Sequence, residues 1–223
     1  MQNLDIVHEN NDIIVVNKLA GLISEKSPYE ECTVETQVLN HFLKSKKKPY
    51  IGVIHRLDRV TSGVMIFAKK KSTLVAFNNL FSSRNVQKTY LAIVKNKPSK
   101  DKGVLTNFLV KNNHEKRADI VASKSKESQD CSLSYEVIGE NEFGYLLEVK
   151  PKTGRFHQIR AQLAHIGSPI IGDEKYGSDQ SYLPLSVCLH AYKITYQPAG
   201  SNEFETFEAP MPKNKFWNFN SLK

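Results

Sequence analysis

Residues 53–68 read VIHRLDRVTSGVMIFA, a charged loop that runs directly into an apolar segment. The apolar part, Val64–Ala68, has the length and composition of a buried β-strand. The loop places one carboxylate, Asp58, between two arginines and three residues after a histidine. This stretch therefore predicts a sheet with a strongly polar loop at the start of one of its buried strands.

The neighbours of Asp58 suggest what its carboxylate does. Arg56 and Arg59 flank it, and opposite charges within about 4–6 Å lower the pKa of a carboxyl group by roughly 1–3 units. An ionised aspartate in a loop can act as a nucleophile or as a base. A structural ion pair in a turn, with Thr61-Ser62-Gly63 as ordinary turn residues, explains the same spacing, so the pattern alone leaves both interpretations open.

The rest of the chain alternates mostly with the period of strands. We expect strands at Asp12–Asn17, Val64–Ala68, Val86–Val94, Gly103–Val110, Cys131–Ile138, Phe143–Lys150, Val187–Tyr196 and Phe204–Phe207. Thr33 and Ser72 are predicted helix N-caps, and His157–Ile166 predicts a short third helix. The polar segment Arg117–Gln129 predicts a loop. The basic run at residues 44–48 is either the solvated end of the first helix or a binding patch.

This order of elements predicts an α+β protein. We expect a single domain over residues 1–223, with a mostly antiparallel, mixed β-sheet flanked by helices and loops and an active-site cleft across the sheet.

Composition is that of an ordinary globular protein, with 40% hydrophobic and 24% charged residues among 223. The net charge of +8 favours a polyanionic partner without establishing one. Cys32, Cys131 and Cys188 lie far apart and form no CxxC pair, which predicts reduced thiols rather than disulfides or zinc. Because no signal peptide or membrane span is visible, we expect a cytoplasmic protein.

A second motif, PKTGRFHQIRAQLAHIG, occupies residues 151–167. On the predicted helix, His157, Arg160 and Ala164 lie on one face, where the small alanine leaves room for a flat group. His157 and His165 are too far apart, and too isolated from a third ligand, to predict a metal site.

These two motifs resemble the RluA-type RNA pseudouridine synthases. His55-Arg56-Leu57-Asp58-Arg59 with residues 61–63 is similar to the signature of that family. Residues 87–92 (QKTYLA) resemble its Lys-x-Tyr strand, and residues 153–177 resemble its third motif. Order and spacing agree over about residues 8–210. The resemblance covers the catalytic domain only, so we expect no N-terminal S4-like domain and expect substrate selection to rest on the catalytic domain.

The departures from the family pattern are few. Leu19 stands where a proline is usual, and Ala161-Gln162 replaces a common Val-His pair. Val60 replaces a residue that is commonly acidic or proline, and Phe156 replaces a small Thr or Ser. Since Val60 and Phe156 lie near the predicted site, we expect them to influence which RNA fits.

The resemblance implies isomerisation of uridine to pseudouridine within RNA, without a metal or cofactor. Uracil is detached from ribose at N1, turned, and rejoined through C5. Asp58 would supply the anion at the sugar–base junction, whether it attacks C1′, attacks C6 or abstracts a ribose proton. Tyr90 would stack on the uracil and accept the C5 proton. Arg160 would pair with Asp58 and keep it ionised, while Asp173 is interpreted as a structural turn residue.

The same resemblance predicts the contacts with RNA. The expected RNA-binding residues are His55, Arg56, Arg59, Lys88, Arg155 and His157. Arg56 would fill the space left by the flipped-out uridine, and the other arginines would hold the phosphate backbone. The expected partner is ribosomal or transfer RNA, and we expect no membrane association and no obligatory protein partner. We expect the protein to be a monomer.

Two other functional classes remain as alternatives. One is a catalytically idle RNA-binding protein on the same fold. The other, a nucleotide-binding or phosphoryl-transfer enzyme, is disfavoured because the sequence contains neither GxGxxG nor DFG.

Overall fold

The computed structural model describes residues 4–43, 49–198 and 200–219. The chain divides into two compact units, one comprising residues 1–88 and 191–211 and the other residues 89–190 and 212–223. The basic run at residues 44–48 lies outside the described residues. No helix in the described part of the chain is long and apolar enough to cross a membrane.

The first unit contains an antiparallel sheet and two helices. Its elements are β1 (Ile6–Glu9), β2 (Ile13–Lys18), α1 (Val34–Leu43), β3 (Gly52–Val53), β4 (Ser62–Ala68), α2 (Lys71–Ser82), the start of β5 (Val86–Val94), most of β10 (Leu189–Tyr196) and β11 (Glu205–Glu208). β2 pairs with both β1 and β4, β3 pairs with β4, and β10 pairs with β11, all antiparallel.

Two apolar runs build the core of the first unit. Residues 13–16 of β2 and 64–68 of β4 are buried, because both faces of these strands are covered. The predicted Thr33 cap is confirmed, since the Thr33 hydroxyl accepts a hydrogen bond from the backbone of Thr36 at 3.1 Å. Gly63, the second residue of β4, has φ +119, and a Cβ there would lie 2.2 Å from the carbonyl oxygen of Ala191. Only glycine therefore allows this close approach of backbones.

The second unit is a larger antiparallel sheet carrying one short helix. Its elements are the remainder of β5, β6 (Lys102–Asn112), β7 (Arg117–Val121), β8 (Gln129–Asn141), β9 (Gly144–Pro151), α3 (Gln158–His165) and the start of β10, with single 3₁₀ turns at Glu174–Tyr176 and Lys215–Trp217. The strand order is β5-β9-β8-β6-β7. Alternating side chains of β8 and β9 face the core, as the predicted hairpin requires.

Two predictions about local structure are wrong. Ser72 is not the N-cap of α2, because the helix already begins at Lys71 and the cap residue Lys70 makes no side-chain hydrogen bond. Residues 117–121 of the predicted loop form β7, whose polar composition hides its pairing with the end of β6. β1 was not predicted, since half of its residues are exposed and it has no continuous apolar run. The expectation of a single domain over residues 1–223 stays a prediction.

Candidate active site

The Asp58 loop connects β3 to β4 within the first unit. The Asp58 carbonyl accepts a hydrogen bond from the backbone of Thr61 at 3.0 Å, which closes a turn. The preceding residue, Leu57, is buried, and Ser24 holds both of its backbone groups: the hydroxyl donates to the Leu57 carbonyl at 2.7 Å and accepts from its N–H at 3.0 Å. The turn that carries Asp58 is therefore anchored, and the half-buried carboxylate stands on a fixed backbone.

Lys18 at the end of β2 fixes the same loop from inside the unit. Its side chain is 1% exposed, and its ammonium donates to the carbonyl oxygens of Leu19 (3.0 Å), Arg59 (3.1 Å) and Thr61 (2.7 Å). Burial lowers the pKa of Lys18 to about 7, and the negative charge of Asp58 opposes this shift. The three donors of an ammonium match three acceptors, so Lys18 positions the residues that immediately follow Asp58.

No role was predicted for Lys18. The available signal is a lysine directly after the predicted buried strand Asp12–Asn17, because a lysine buried there needs hydrogen-bond partners.

Arg56 and Arg59, both predicted to bind RNA, differ in the contacts that hold their side chains. Arg56 is exposed and forms an ion pair with Glu25, which is also exposed. Arg59 donates to the carbonyl of Gly21 at 2.9 Å and pairs with Glu30 at 3.1 Å. Exposed pairs of this kind contribute little stability, so exchanging Glu25 for a phosphate at Arg56 costs little.

His55 has a structural contact that the sequence did not predict. Its Nε2 accepts a hydrogen bond from the backbone of Ile66 in β4 at 3.1 Å, and its ring stacks on Phe81 with centroids 5.5 Å apart. Burial, helped by the charge of Lys88, lowers the pKa of His55 to about 3. The ring is therefore neutral at pH 7 and ties the loop to β4, so it brings no positive charge to a phosphate. Burial also lowers the pKa of Lys88.

Tyr90 lies in β5 within the second unit, opposite Val149 of β9. Its neighbours Thr89 and Leu91 are buried, whereas Tyr90 is only half-buried. Since side chains alternate along a strand, Tyr90 lies on the opposite face from these two residues. This placement leaves part of the ring accessible, as stacking on a base requires.

Arg160 in α3 is held by a bidentate ion pair with Asp173. Nε lies 2.6 Å from Oδ2 and Nη2 lies 2.7 Å from Oδ1. Asp173 does start a turn, as predicted, because its carbonyl accepts from the backbone of Tyr176 at 3.0 Å, but its side chain has this second role. Asp58 belongs to the first unit and Arg160 to the second, so their pairing stays a prediction.

The third guanidinium nitrogen of Arg160 determines which nitrogen of the His157 ring carries the proton. Nη1 donates to Nε2 of His157 at 2.9 Å, so the imidazole proton is on Nδ1, which donates to the Tyr176 hydroxyl at 3.0 Å. Burial, together with the charges of Arg160 and Lys175, lowers the pKa of His157 to about 3. His157 is therefore a neutral link that orients Arg160, and it supplies no charge for binding RNA.

A buried pair of glutamines ties α3 to the sheet. Gln158 donates to the carbonyl of Ser132 and to Gln162, both at 3.0 Å, and accepts from the backbone of Arg155 at 3.1 Å. Gln162 in turn donates to Asn107 of β6 at 2.7 Å. The side chain of Arg155 is exposed at the surface, where its Nε donates to the carbonyl of Asp130 at 3.3 Å.

No group of three or more His, Cys, Asp or Glu side chains among the described residues could hold a metal ion. The first unit offers the carboxylate of Asp58, on a turn, and the second unit offers the phenol of Tyr90 in β5 and the guanidinium of Arg160 in α3. A carboxylate can supply an anion, a phenol can accept a proton, and a guanidinium can stabilise negative charge.

Comparison with known proteins finds similarity to pseudouridine synthases. The family described as RNA pseudouridylate synthase matches residues 12–165. Ribosomal large subunit pseudouridine synthase D of Borreliella burgdorferi is 34% identical over 217 residues, which cover 93% of this chain and 65% of that protein. tRNA pseudouridine synthase C of Vibrio parahaemolyticus is 35% identical over 218 residues, covering 90% of this chain and 87% of that protein.

A solved structure agrees with the fold. Human RNA pseudouridylate synthase domain containing 1 matches with a TM-score of 0.79 at 25% identity, covering 99% of this chain and 90% of that chain. The predicted α+β fold is thereby confirmed. The chain spans slightly less than two thirds of the length of the Borreliella relative.

Proposed function

Because the chain belongs to the RNA pseudouridylate synthase family, we propose that it isomerises particular uridines of ribosomal or transfer RNA to pseudouridine. The resemblance seen in the three sequence motifs is confirmed by this membership. Two relatives are named as synthases acting on the large ribosomal subunit and on tRNA, and these names support the two substrate classes.

The observation that carries the proposal is the anchoring of the Asp58 loop. A loop that only needed to turn would not require a buried lysine with three carbonyl partners, because burying an ammonium is costly. Such anchoring supports a carboxylate that must be placed accurately against a substrate. We assign Asp58 the anionic role at the junction of ribose and uracil.

Tyr90 and Arg160 complete the proposed chemistry. Uracil leaves C1′ through N1 and returns through C5, so C5 loses a proton and N1 gains one, and no other reactant is consumed. Tyr90 accepts the C5 proton and stacks on the ring. Asp173 and His157 orient Arg160, and we propose that its permanent positive charge pairs with the Asp58 carboxylate, as the family resemblance implies.

Arg56, Arg59, Arg155 and Lys88 are proposed to hold the RNA, and the neutral histidines His55 and His157 support their neighbours. The target uridine must leave its helix, at a cost of a few kcal/mol. We further propose one catalytic domain that works as a cytoplasmic monomer without metal or cofactor.

Tritium release from [5-³H]uracil-labelled RNA tests the proposal. We expect release by the purified protein and none by Asp58→Asn, which keeps the shape of the side chain and removes its charge. The matched control is Asp12→Asn, which removes an exposed carboxylate paired only at the surface with Lys70 and should retain activity. RNA binding without tritium release by the unaltered protein would favour the catalytically idle alternative.

A further inference from the structure

Phe156 is an exposed aromatic residue that neither the core nor the proposed chemistry explains. It lies two residues before the start of α3 and is 41% exposed. Its ring lies on the imidazole of His157, with centroids 3.8 Å apart and planes inclined by 19°. Exposing an apolar ring to water costs free energy. A ring that the fold holds exposed to solvent therefore suggests a surface that a ligand covers.

The ring beneath Phe156 is rigidly held. Both nitrogens of His157 are hydrogen-bonded, to Arg160 at 2.9 Å and to Tyr176 at 3.0 Å. The backbone of His157 is in the left-handed region, with φ 53, a conformation that non-glycine residues adopt only when their surroundings impose it. Because the His157 ring is already fixed, the stacked pair loses little conformational entropy when a third ring stacks on it.

A positive charge lies near this stacked pair. The ammonium of Lys111 lies 5.5 Å from the centroid of the Phe156 ring, and the exposed Arg155 is its neighbour in sequence. Lys111 stands opposite Ala118 in the β6–β7 ladder, and the backbone of Ala118 donates to the Tyr176 hydroxyl at 2.7 Å. The cation and the aromatic pair are therefore held by one framework within the second unit.

We propose that Phe156 is a stacking subsite for an unpaired RNA base that flanks the target uridine, and that Lys111 contacts a phosphate beside that base. Aromatic rings among cations are the usual means by which proteins hold single-stranded nucleic acid without reading its sequence. The long, exposed Lys111 side chain can move from the ring to a phosphate as the base arrives. This subsite rests on the proposed function and specifies the form of its RNA: single-stranded next to the target.

Fluorescence quenching tests the subsite without requiring catalysis. The probes are short oligoribonucleotides with one uridine and with 2-aminopurine placed on its 5′ or 3′ side. We expect the intact protein to quench one of the two probes and Phe156→Leu to lose that quenching and to bind roughly ten-fold more weakly. Phe156→Tyr, which keeps the ring, should restore both properties.

Two further variants separate stacking from other effects. Phe204→Leu removes an aromatic that is 69% exposed elsewhere in the chain and should change nothing. Lys111→Gln should reduce the slope of log affinity against log salt by about 0.7, the value for one phosphate of a single strand, whereas Phe156→Leu should leave the slope unchanged.

Steady-state kinetics distinguish a binding role from a purely structural one. Stacking predicts that Phe156→Leu raises KM with kcat nearly unchanged, whereas a disturbed His157 and Arg160 would lower kcat. Equal quenching by Phe156→Leu and the intact protein would overturn the subsite. A protein that quenches through Phe156 but releases no tritium would instead contradict the proposed function and leave the subsite standing.

Discussion

Arg160 and Asp173 form a bidentate ion pair whose two side chains are almost completely buried, 5% and 1% exposed. The two parallel hydrogen bonds fix the plane of the guanidinium, since both oxygens of the carboxylate are engaged. The sequence placed Arg160 in the site but gave it a different partner. The orientation of this catalytic candidate therefore depends on a carboxylate thirteen residues further along the chain.

Removing one member of this pair should strongly destabilise the protein. Asp173→Asn leaves a buried guanidinium without its counter-charge, and we expect a loss of about 3–5 kcal/mol in the free energy of unfolding, measured in urea. Arg160→Lys keeps the charge but cannot make two parallel bonds, so it should lose stability and most activity. Asp12→Asn, which breaks an exposed pair, should stay within about 1 kcal/mol of the parent protein. A similar small change for Asp173→Asn would contradict the structural role of the pair.

Lys18→Met tests whether the buried lysine positions the Asp58 loop. The methionine fills similar space but leaves three carbonyl oxygens without their donor, so we expect a loss of about 1–3 kcal/mol in stability. We also expect kcat to fall more than ten-fold, because the loop carries the reacting group Asp58.

The surface variant Lys71→Met, at the start of α2, serves as its control because that lysine is exposed. It should match the parent protein in both kcat and stability. If Lys18→Met lost stability but kept full kcat, the lysine would be structural only and would not position Asp58.

Tyr90→Phe separates the phenol from the ring. The ring still stacks on uracil, so affinity for RNA should change less than two-fold, while formation of pseudouridine should fall to background because no group accepts the C5 proton. Mass spectrometry of digested RNA measures the product. Tyr29→Phe is the matched control, since Tyr29 is 96% exposed and should show normal product formation. Normal turnover by Tyr90→Phe would remove the phenol from the mechanism.

Acid should destabilise the protein through the neutral histidines His55 and His157. In the folded chain each has a pKa of about 3, against an ordinary value of 6.5. The unfolded chain therefore binds more protons below pH 6.5, and stability is lost as the pH falls from about 6.5 toward 3. Each ring should contribute a slope of up to about 1.4 kcal/mol per pH unit.

Urea unfolding between pH 5 and 7 measures this slope, roughly the range in which carboxylates remain ionised. We expect His55→Gln and His157→Gln each to reduce the slope, and His114→Gln, whose side chain is 93% exposed, to leave it unchanged. An unaltered slope in both buried-histidine variants would show that these rings are protonated normally in the folded protein.

Local sequence patterns predicted much of the molecule. The apolar runs that became β2 and β4, the alternation of β5, β8 and β9, and the Thr33 cap are short-range effects of periodicity and hydrogen bonding. The motif around Asp58 likewise identified the loop, because the spacing of its charges is local. β7 was not predicted, because its polar residues form a strand only by pairing with β6.

Tertiary structure alone decided how the site residues are held. Lys18 meets carbonyl oxygens 41 and 43 residues away, and no local pattern records such a separation. The neutral state of His55 and His157 depends on burial and on one hydrogen-bond donor to each ring, quantities that exist only after packing. Sequence by itself determined which chemical groups this protein offers at the proposed site. Packing determined their hydrogen-bond partners, their charge and their orientation, because desolvation and hydrogen bonding act between residues that folding brings together.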